Sequence, residues 1–198
     1  MFANKTGTLM HEIEVLRDFG RKKILVAKPD WDTRSGHGDI KDFHGKTMTA
    51  VEVSTTSPWE IFHLISREEE CCGKLDVIAF DEIQFFSRDF YLVVNRLLER
   101  GYDVIASGLA LDFRNEPFGS TLELIGLCPD LRTVRWLASR CAQCGEVAYL
   151  TQRLIDGKPA PYDSPQVLVG GKESYEPRCY SCFELPEKPS GAYSLKSP

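Results

Sequence analysis

The chain has 198 residues, 42% apolar and 27% charged, an ordinary composition for a soluble protein with room for one substantial α/β domain and a small appendage. Its formal net charge of −5 and pI near 5.5 exclude the basic surface that non-specific nucleic-acid binding needs. No apolar run approaches a membrane span and the N-terminus lacks an apolar signal core, so no membrane partner is expected, and the odd set Cys71, Cys72 and Cys128, outside the paired cysteines of the C-terminal part, suits a reducing, cytoplasmic setting.

In chain order, Lys5-Thr6 opens a helical pattern whose apolar positions are Leu9, Ile13, Leu16 and Phe19, with Gly20 placed to end it. KKILVAK (22–28) reads as a strand, and the polar, glycine-containing stretch 29–47 as a mobile loop. Ser57-Pro58-Trp59-Glu60 has the form of a capping box with proline at the first helical position. LDVIAF (75–80) is apolar throughout, as a strand buried on both faces should be. Ser87 is placed to cap a helix with Phe90, Val94, Leu97 and Leu98 on its apolar face, and Gly101 to stop it. YDVIAS (102–107), almost as continuously apolar, reads as a second strand buried on both faces, and TVRWLA (133–138) as a further strand. Strands alternating with helices predict an α/β fold with a mainly parallel sheet flanked by helices over 1–140. A cysteine-bounded module follows over 141–183, then a loose tail over 184–198 that carries prolines, serines and charges.

Cys141-x-x-Cys144 and Cys179-x-x-Cys182 have the spacing with which two pairs of thiolates grip one structural Zn2+ tetrahedrally. Disulfide pairing is the alternative, in a chain with no other mark of secretion. A structural zinc contributes roughly 10–16 kcal/mol of apparent binding free energy, enough to order the long insert, whose Val169-Gly170-Gly171 suits a loop that folds over a flat ligand. A zinc-bound hairpin without a ligand is the plainer reading of it.

Three further segments carry chemistry. In MFANKT, Lys5 and Thr6 stand where a phosphate-binding loop puts the lysine that reaches the phosphates and the hydroxyl that ligates Mg2+, with Asn4 in the usual place of glycine. In LDVIAFDEIQFF, Asp81-Glu82 ends a buried strand, where a parallel sheet binds ligands. Asp81 there suits a metal–phosphate complex, and Glu82 suits proton abstraction from an acceptor hydroxyl. In SGLALDFRNEPFG (107–119), Phe113 and Phe118 offer flat apolar surface beside Arg114. Each segment taken alone also fits a bland role: a solvated helix cap, the start of a loop, or packing with a surface arginine.

The ordered set resembles the thymidine kinase family of the small zinc-bearing type, often called type II. It comprises MFANKT, DTR (32–34), DEIQFF (81–86), GLALDFRNEPFG (108–119), CAQCGEVAYLTQR (141–153) and VLVGGKESYEPRCYSC (167–182). The resemblance implies a P-loop NTPase-like domain with a small zinc-binding lasso domain, and ATP-dependent, Mg2+-assisted phosphorylation of thymidine. It implies Glu82 as general base, and Asn4, Lys5, Thr6, Asp32, Arg34, Asp81 and Gln84 about the ATP and its metal. Met1, Phe85, Leu109, Phe113, Phe118 and Thr151 would line the nucleoside pocket; Gln166, Val167, Leu168, Val169 and Gly170 would contact the base, and Tyr175 the sugar. Cys141, Cys144, Cys179 and Cys182 would hold the zinc. Thymidine triphosphate as feedback inhibitor and a homotetramer are implied in the same way.

The sequence departs from the family pattern at Asn4 and at Ala110, where an aspartate is usual. The strand and glycine expected before MFANKT are also missing, which leads to the expectation that Met1 is internal to a product starting about a dozen residues upstream. The alternatives to a working thymidine kinase are a truncated, catalytically weak nucleotide-binding remnant of the family and a zinc-ribbon nucleic-acid module, the latter opposed by the acidic balance. Deoxyuridine is an alternative acceptor, since the 5-methyl contact is only an apolar increment.

Overall fold

The computed structural model describes residues 2–32, 38–168 and 174–189. The expectations placed on Met1, Arg34, Val169, Gly170 and most of the tail lie outside those residues. The chain divides into two compact units: Asn4–Ala110 with Pro117–Arg135, and Met1–Ala3, Leu111–Glu116 and Trp136–Pro198.

The larger unit begins with helix α1 (Lys5–Asp18) and strand β1 (Ile24–Pro29), followed by a hairpin of β2 (Asp39–Lys41) and β3 (Thr47–Thr49). Next come β4 (Val51–Val53), helix α2 (Ile61–Cys72), β5 (Val77–Phe80), helix α3 (Phe90–Glu99), β6 (Asp103–Ala106) and helix α4 (Thr121–Gly126). The four longer-range strands form a parallel sheet in the order β4-β1-β5-β6. From β1 the chain crosses first to one side and then to the other, so the carboxyl ends of β1 and β5 flank the point where the winding reverses. Open α/β sheets bind ligands in the crevice at such a point.

Alternation along the strands explains why both sheet faces are buried. Leu25, Ala27, Ile78 and Phe80 pack with α2 and α3 residues such as Ile65, Phe90 and Leu97 on one face. Ile24, Val26, Val77 and Ala79 pack with Leu9, Met10 and Ile13 of α1 on the other.

Several local expectations change. β6 stands at the edge of the four-stranded sheet, with Asp103 and Ala106 exposed and Val104 and Ile105 half-buried, so it is not buried on both faces as β5 is. Residues 134–138 pair with no strand; they follow a 3-10 turn at Leu131–Thr133, and Trp136 is 64% exposed, so this apolar run faces no core. Phe19 lies past the end of α1 and is 83% exposed. In the capping segment Pro58–Glu60 form a 3-10 turn, and the Glu60 carboxylate accepts from the Ser54 N–H rather than that of Ser57. Ser87 sits two residues before the α3 N-cap, which is Asp89, and Leu98 is 41% exposed while Val93 is buried in its stead. Gly101 does stop α3, in the left-handed conformation (φ 81°). Within the stretch 29–47, residues Asp39–Lys41 form β2 and pair with β3, in place of the expected loop.

The smaller unit holds β7 (Ser139–Arg140) paired with β8 (Val147–Ala148), and an antiparallel sheet ordered β10-β9-β11. Its strands are β9 (Leu150–Ile155), β10 (Lys158–Pro159) and β11 (Tyr175–Arg178). Its apolar cluster is slight: Cys141, Ala148 and Cys179, with Cys182 packed against them.

Candidate active site

Asn4, at the N-cap of α1, has left-handed backbone (φ 50°, ψ 44°), the region where glycine and asparagine carry the least penalty. Its carbonyl accepts the Thr8 N–H at 3.0 Å, closing the first turn. A Cβ on Gly7 would lie 2.5 Å from the Asn4 side-chain amide, so Gly7 gives that side chain room over the turn. Lys5 and Thr6 follow as the first helical residues, with the orphan N–H groups of a helix start around them.

The Thr6 hydroxyl donates to Asp81 Oδ2 at 2.8 Å. Asp81 Oδ1 accepts from the Ser107 hydroxyl at 2.6 Å and from the Glu82 N–H at 3.0 Å. Strand register explains this meeting. Phe80 pairs with Ala27 on one side and Ala106 on the other, so Lys28 of β1 and the residues that follow β5 and β6, Asp81 and Ser107, come next in register side by side. Ser107 was not among the expected site residues. Its signal was the serine that ends the second buried strand pattern one residue past the apolar run, as Asp81 ends the first. Lys28 was also missed; its buried Nζ donates to the Asp32 carbonyl at 3.1 Å and lies 3.7 Å from Glu52 Oε1. Asp32, itself buried, is thereby tied to the end of β1.

Burial, and then the negative charge of Glu82, push the Asp81 carboxyl from 3.8 up to about 6, against the Ser107 and Thr6 hydroxyls and the Lys5 cation. Two adjacent buried carboxylates with a helix-start hydroxyl make a hard-oxygen donor set short of positive charge, which fits Mg2+. Because the folded-state value is raised, the stability linked to Asp81 is complete below about pH 4 and is lost as pH rises through about 6, a swing on the order of 3 kcal/mol. A divalent cation held beside Asp81 would favour the ionised form and offset that loss. Mg2+ is therefore expected to raise the melting temperature more at about pH 7.5 than at about pH 5. Equal shifts at both pH values would show that Mg2+ does not bind beside Asp81.

Glu82 is buried and has left-handed backbone (φ 50°, ψ 43°), a conformation that costs a non-glycine residue about 1–2 kcal/mol. Gln84, in the 3-10 turn Ile83–Phe85, donates to the Glu82 carboxylate. Phe85 meets Trp31 at 5.4 Å between ring centroids, and Phe118 edge-on at 5.7 Å. Leu109 is half-buried, and its N–H donates to Gln84 Oε1 at 2.9 Å.

In the smaller unit an alternating stack of rings and guanidiniums runs from Tyr162 to Tyr175. Arg114 lies 5.2 Å from the centroids of both Tyr162 and Phe113, and Arg153 lies 4.7 Å from Phe113 and 5.4 Å from Tyr175. Arg153 is 1% exposed and donates to the Pro165 carbonyl, while Arg114 donates to the Ser164 carbonyl at 2.6 Å. Gln166 donates to Asp112 at 2.9 Å, and the Tyr175 hydroxyl to the Leu168 carbonyl at 2.9 Å. These bonds fix the segment that carries Gln166, Val167 and Leu168. Thr151 is buried in β9, opposite Pro177 of β11.

Cys141, Cys144, Cys179 and Cys182 converge, their sulfur atoms all within 4.8 Å of one another, and all four are free thiols. Cys144 and Cys179 are 3.6 Å apart, close to the ~3.8 Å edge of a tetrahedron with 2.3 Å Zn–S bonds. Gly145, at φ 77°, closes the first knuckle by donating to the Cys141 carbonyl at 2.9 Å. Burial raises the Cys141 thiol, but backbone N–H groups of Cys179, Cys144 and Gln143 outweigh it and bring the thiol down to about 6. Hydrogen bonds with Cys144 and Cys179 push Cys182 up to about 12. Four thiols so placed cannot all ionise without a cation, and the soft, tetrahedral donor set fits zinc.

Among the described residues no helix is long and apolar enough to cross a membrane. A protein-family model described as thymidine kinase matches residues 1–183.

Proposed function

The chain belongs to the thymidine kinase family, phosphotransferases that act on thymidine, and on that premise we propose that it moves the γ-phosphoryl group of ATP to the 5′-hydroxyl with Glu82 as general base. The observation that carries this reading is the pairing of Asp81 with the Thr6 hydroxyl at the mouth of the parallel sheet, with Glu82 next in the chain.

Lys5, Thr6 and the N–H groups at the start of α1 would hold the phosphates. Mg2+ held at Asp81 and Thr6 would neutralise charge on the β- and γ-phosphates. Glu82 takes the 5′-hydroxyl proton as the new O–P bond forms, while the bond from the γ-phosphorus to the β–γ bridging oxygen breaks and ADP leaves with its electron pair. Phosphoryl transfer asks the protein mainly for positioning and electrostatic stabilisation, which suits so small a set of groups. Asp32 belongs to the same proposal as a group near the sugar and phosphates.

Phe85, Leu109 and Phe118 are proposed as apolar contacts of the nucleoside, with Phe113, Thr151, Tyr175 and the backbone of 166–168 as further contacts. A base read through backbone groups separates thymine from cytosine by its donor and acceptor pattern, and a mismatched buried pair costs roughly 1–3 kcal/mol. A homotetramer, feedback inhibition by thymidine triphosphate and a cytoplasmic setting are part of the same reading.

The test is magnesium-dependent transfer of labelled phosphate from ATP, with deoxycytidine and deoxyuridine alongside thymidine. Turnover of thymidine with deoxycytidine at least about tenfold poorer is expected from that mismatch cost. Absence of turnover with a folded, zinc-loaded protein would overturn the reading in favour of a nucleotide-binding remnant.

A further inference from the structure

We propose that Gln84 is a positioning residue that holds the Glu82 carboxylate in register with the 107–110 loop. This rests on the reading of Glu82 as the base, and it gives Gln84 a role other than contact with ATP or its metal.

Gln84 is buried, 2% exposed, and its side-chain amide has partners at both ends. Its Oε1 accepts the Leu109 N–H at 2.9 Å. A backbone N–H only donates, so the amide cannot be turned around, and the NH2 end faces Glu82 Oε2, to which it donates. The hydrogen bonds therefore run in one direction, from the Leu109 N–H through the Gln84 amide to the Glu82 carboxylate, and each polarises the next.

The neighbouring loop leaves space for this arrangement at two glycines. A Cβ on Gly108 would lie 2.9 Å from Gln84 Oε1 and 2.5 Å from Ile83 Cγ1. A Cβ on Gly119, whose φ is 58°, would lie 2.5 Å from the Gln84 carbonyl oxygen and 2.9 Å from its Cα. Both ends of the loop that carries Leu109 and Phe118 thus close onto Gln84. The backbone around Glu82 is pinned as well: its N–H donates to Asp81 at 3.0 Å, and the Ile83 N–H donates to the Ser107 carbonyl at 3.0 Å. With the backbone fixed in a left-handed turn, Gln84 holds the end of the glutamate side chain.

A double-mutant cycle tests this. Gln84→Met keeps the side chain's length and removes both hydrogen bonds. It is expected to lower kcat for thymidine by about 10²-fold, the cost of a displaced reacting group, with KM for ATP within about twofold. In a Glu82→Gln background, where the base is already gone, the same change should cost less than about twofold more. Equal losses in both backgrounds, or a raised KM for ATP with kcat unchanged, would overturn the proposal. Should Gln84→Met not fold, Gln84→Leu serves in the same cycle, because it too fills the buried site and neither accepts from Leu109 nor donates to Glu82. The two readings fail separately: wild-type turnover by Glu82→Gln removes the base, whereas a slow Glu82→Gln with multiplicative losses removes Gln84 alone.

Discussion

Glu82→Gln is expected to lower kcat by about 10²–10⁴-fold, the usual contribution of a positioned general base, with little change in melting temperature or in KM for ATP. The substitution is nearly isosteric, and its amide oxygen still accepts the hydrogen bond from Gln84. It also removes a negative charge that helps to raise the neighbouring Asp81. Mg2+-dependent stabilisation should therefore persist, and its pH dependence should move toward lower pH. Steady-state kinetics with thymidine and thermal melting with and without Mg2+ read both effects. A variant with wild-type kcat would remove Glu82 from the chemistry. A variant that unfolds would show instead that the carboxylate is needed to hold the left-handed turn.

The second large effect is expected at the cysteines. Removing zinc with a strong chelator, or replacing Cys179 by serine, should unfold the smaller unit and leave the larger one standing. The apolar cluster around the four thiols is too slight to order β7–β11 unaided. Zinc binding worth about 10–16 kcal/mol is as large as the whole stability of many domains. Hydrogen exchange should show β9 and β11 losing protection while β1 and β5 keep theirs, since the parallel sheet is buried by its own helices on both faces. Metal analysis should find one zinc per chain, displaced in step with the loss of protection. Metal-free protein with unchanged exchange would overturn this account, and paired cysteines by mass under non-reducing conditions would replace zinc with disulfides.

What the sequence by itself determined is the part written in local chemistry. The apolar run at 75–80 gave a central strand and that at 102–107 an edge strand, Gly101 gave a helix end, and the paired Cys-x-x-Cys motifs gave the four-cysteine cluster. The ordered motifs gave the family, whose model matches residues 1–183, because phosphoryl transfer would constrain which residue types stand at Lys5, Thr6, Asp81 and Glu82. Short elements were not legible. The three-residue β4 is too brief to show a period, and the apolar run at 133–138 looks like a strand only while its exposure is unknown.

Tertiary structure alone decided which residues meet. The parallel register of β1, β5 and β6 sets Lys28, Asp81 and Ser107 in a row, and no spacing within the chain contains that alignment. The Gln84 amide finds its acceptor in Glu82, two residues away, but its donor in Leu109, 25 residues on, and the two glycines that make room for it read in sequence as ordinary loop residues. The reason is physical. A motif specifies the atoms that must act, whereas the groups that satisfy and aim those atoms are chosen by packing, and burial admits only a partner that completes the hydrogen bonds.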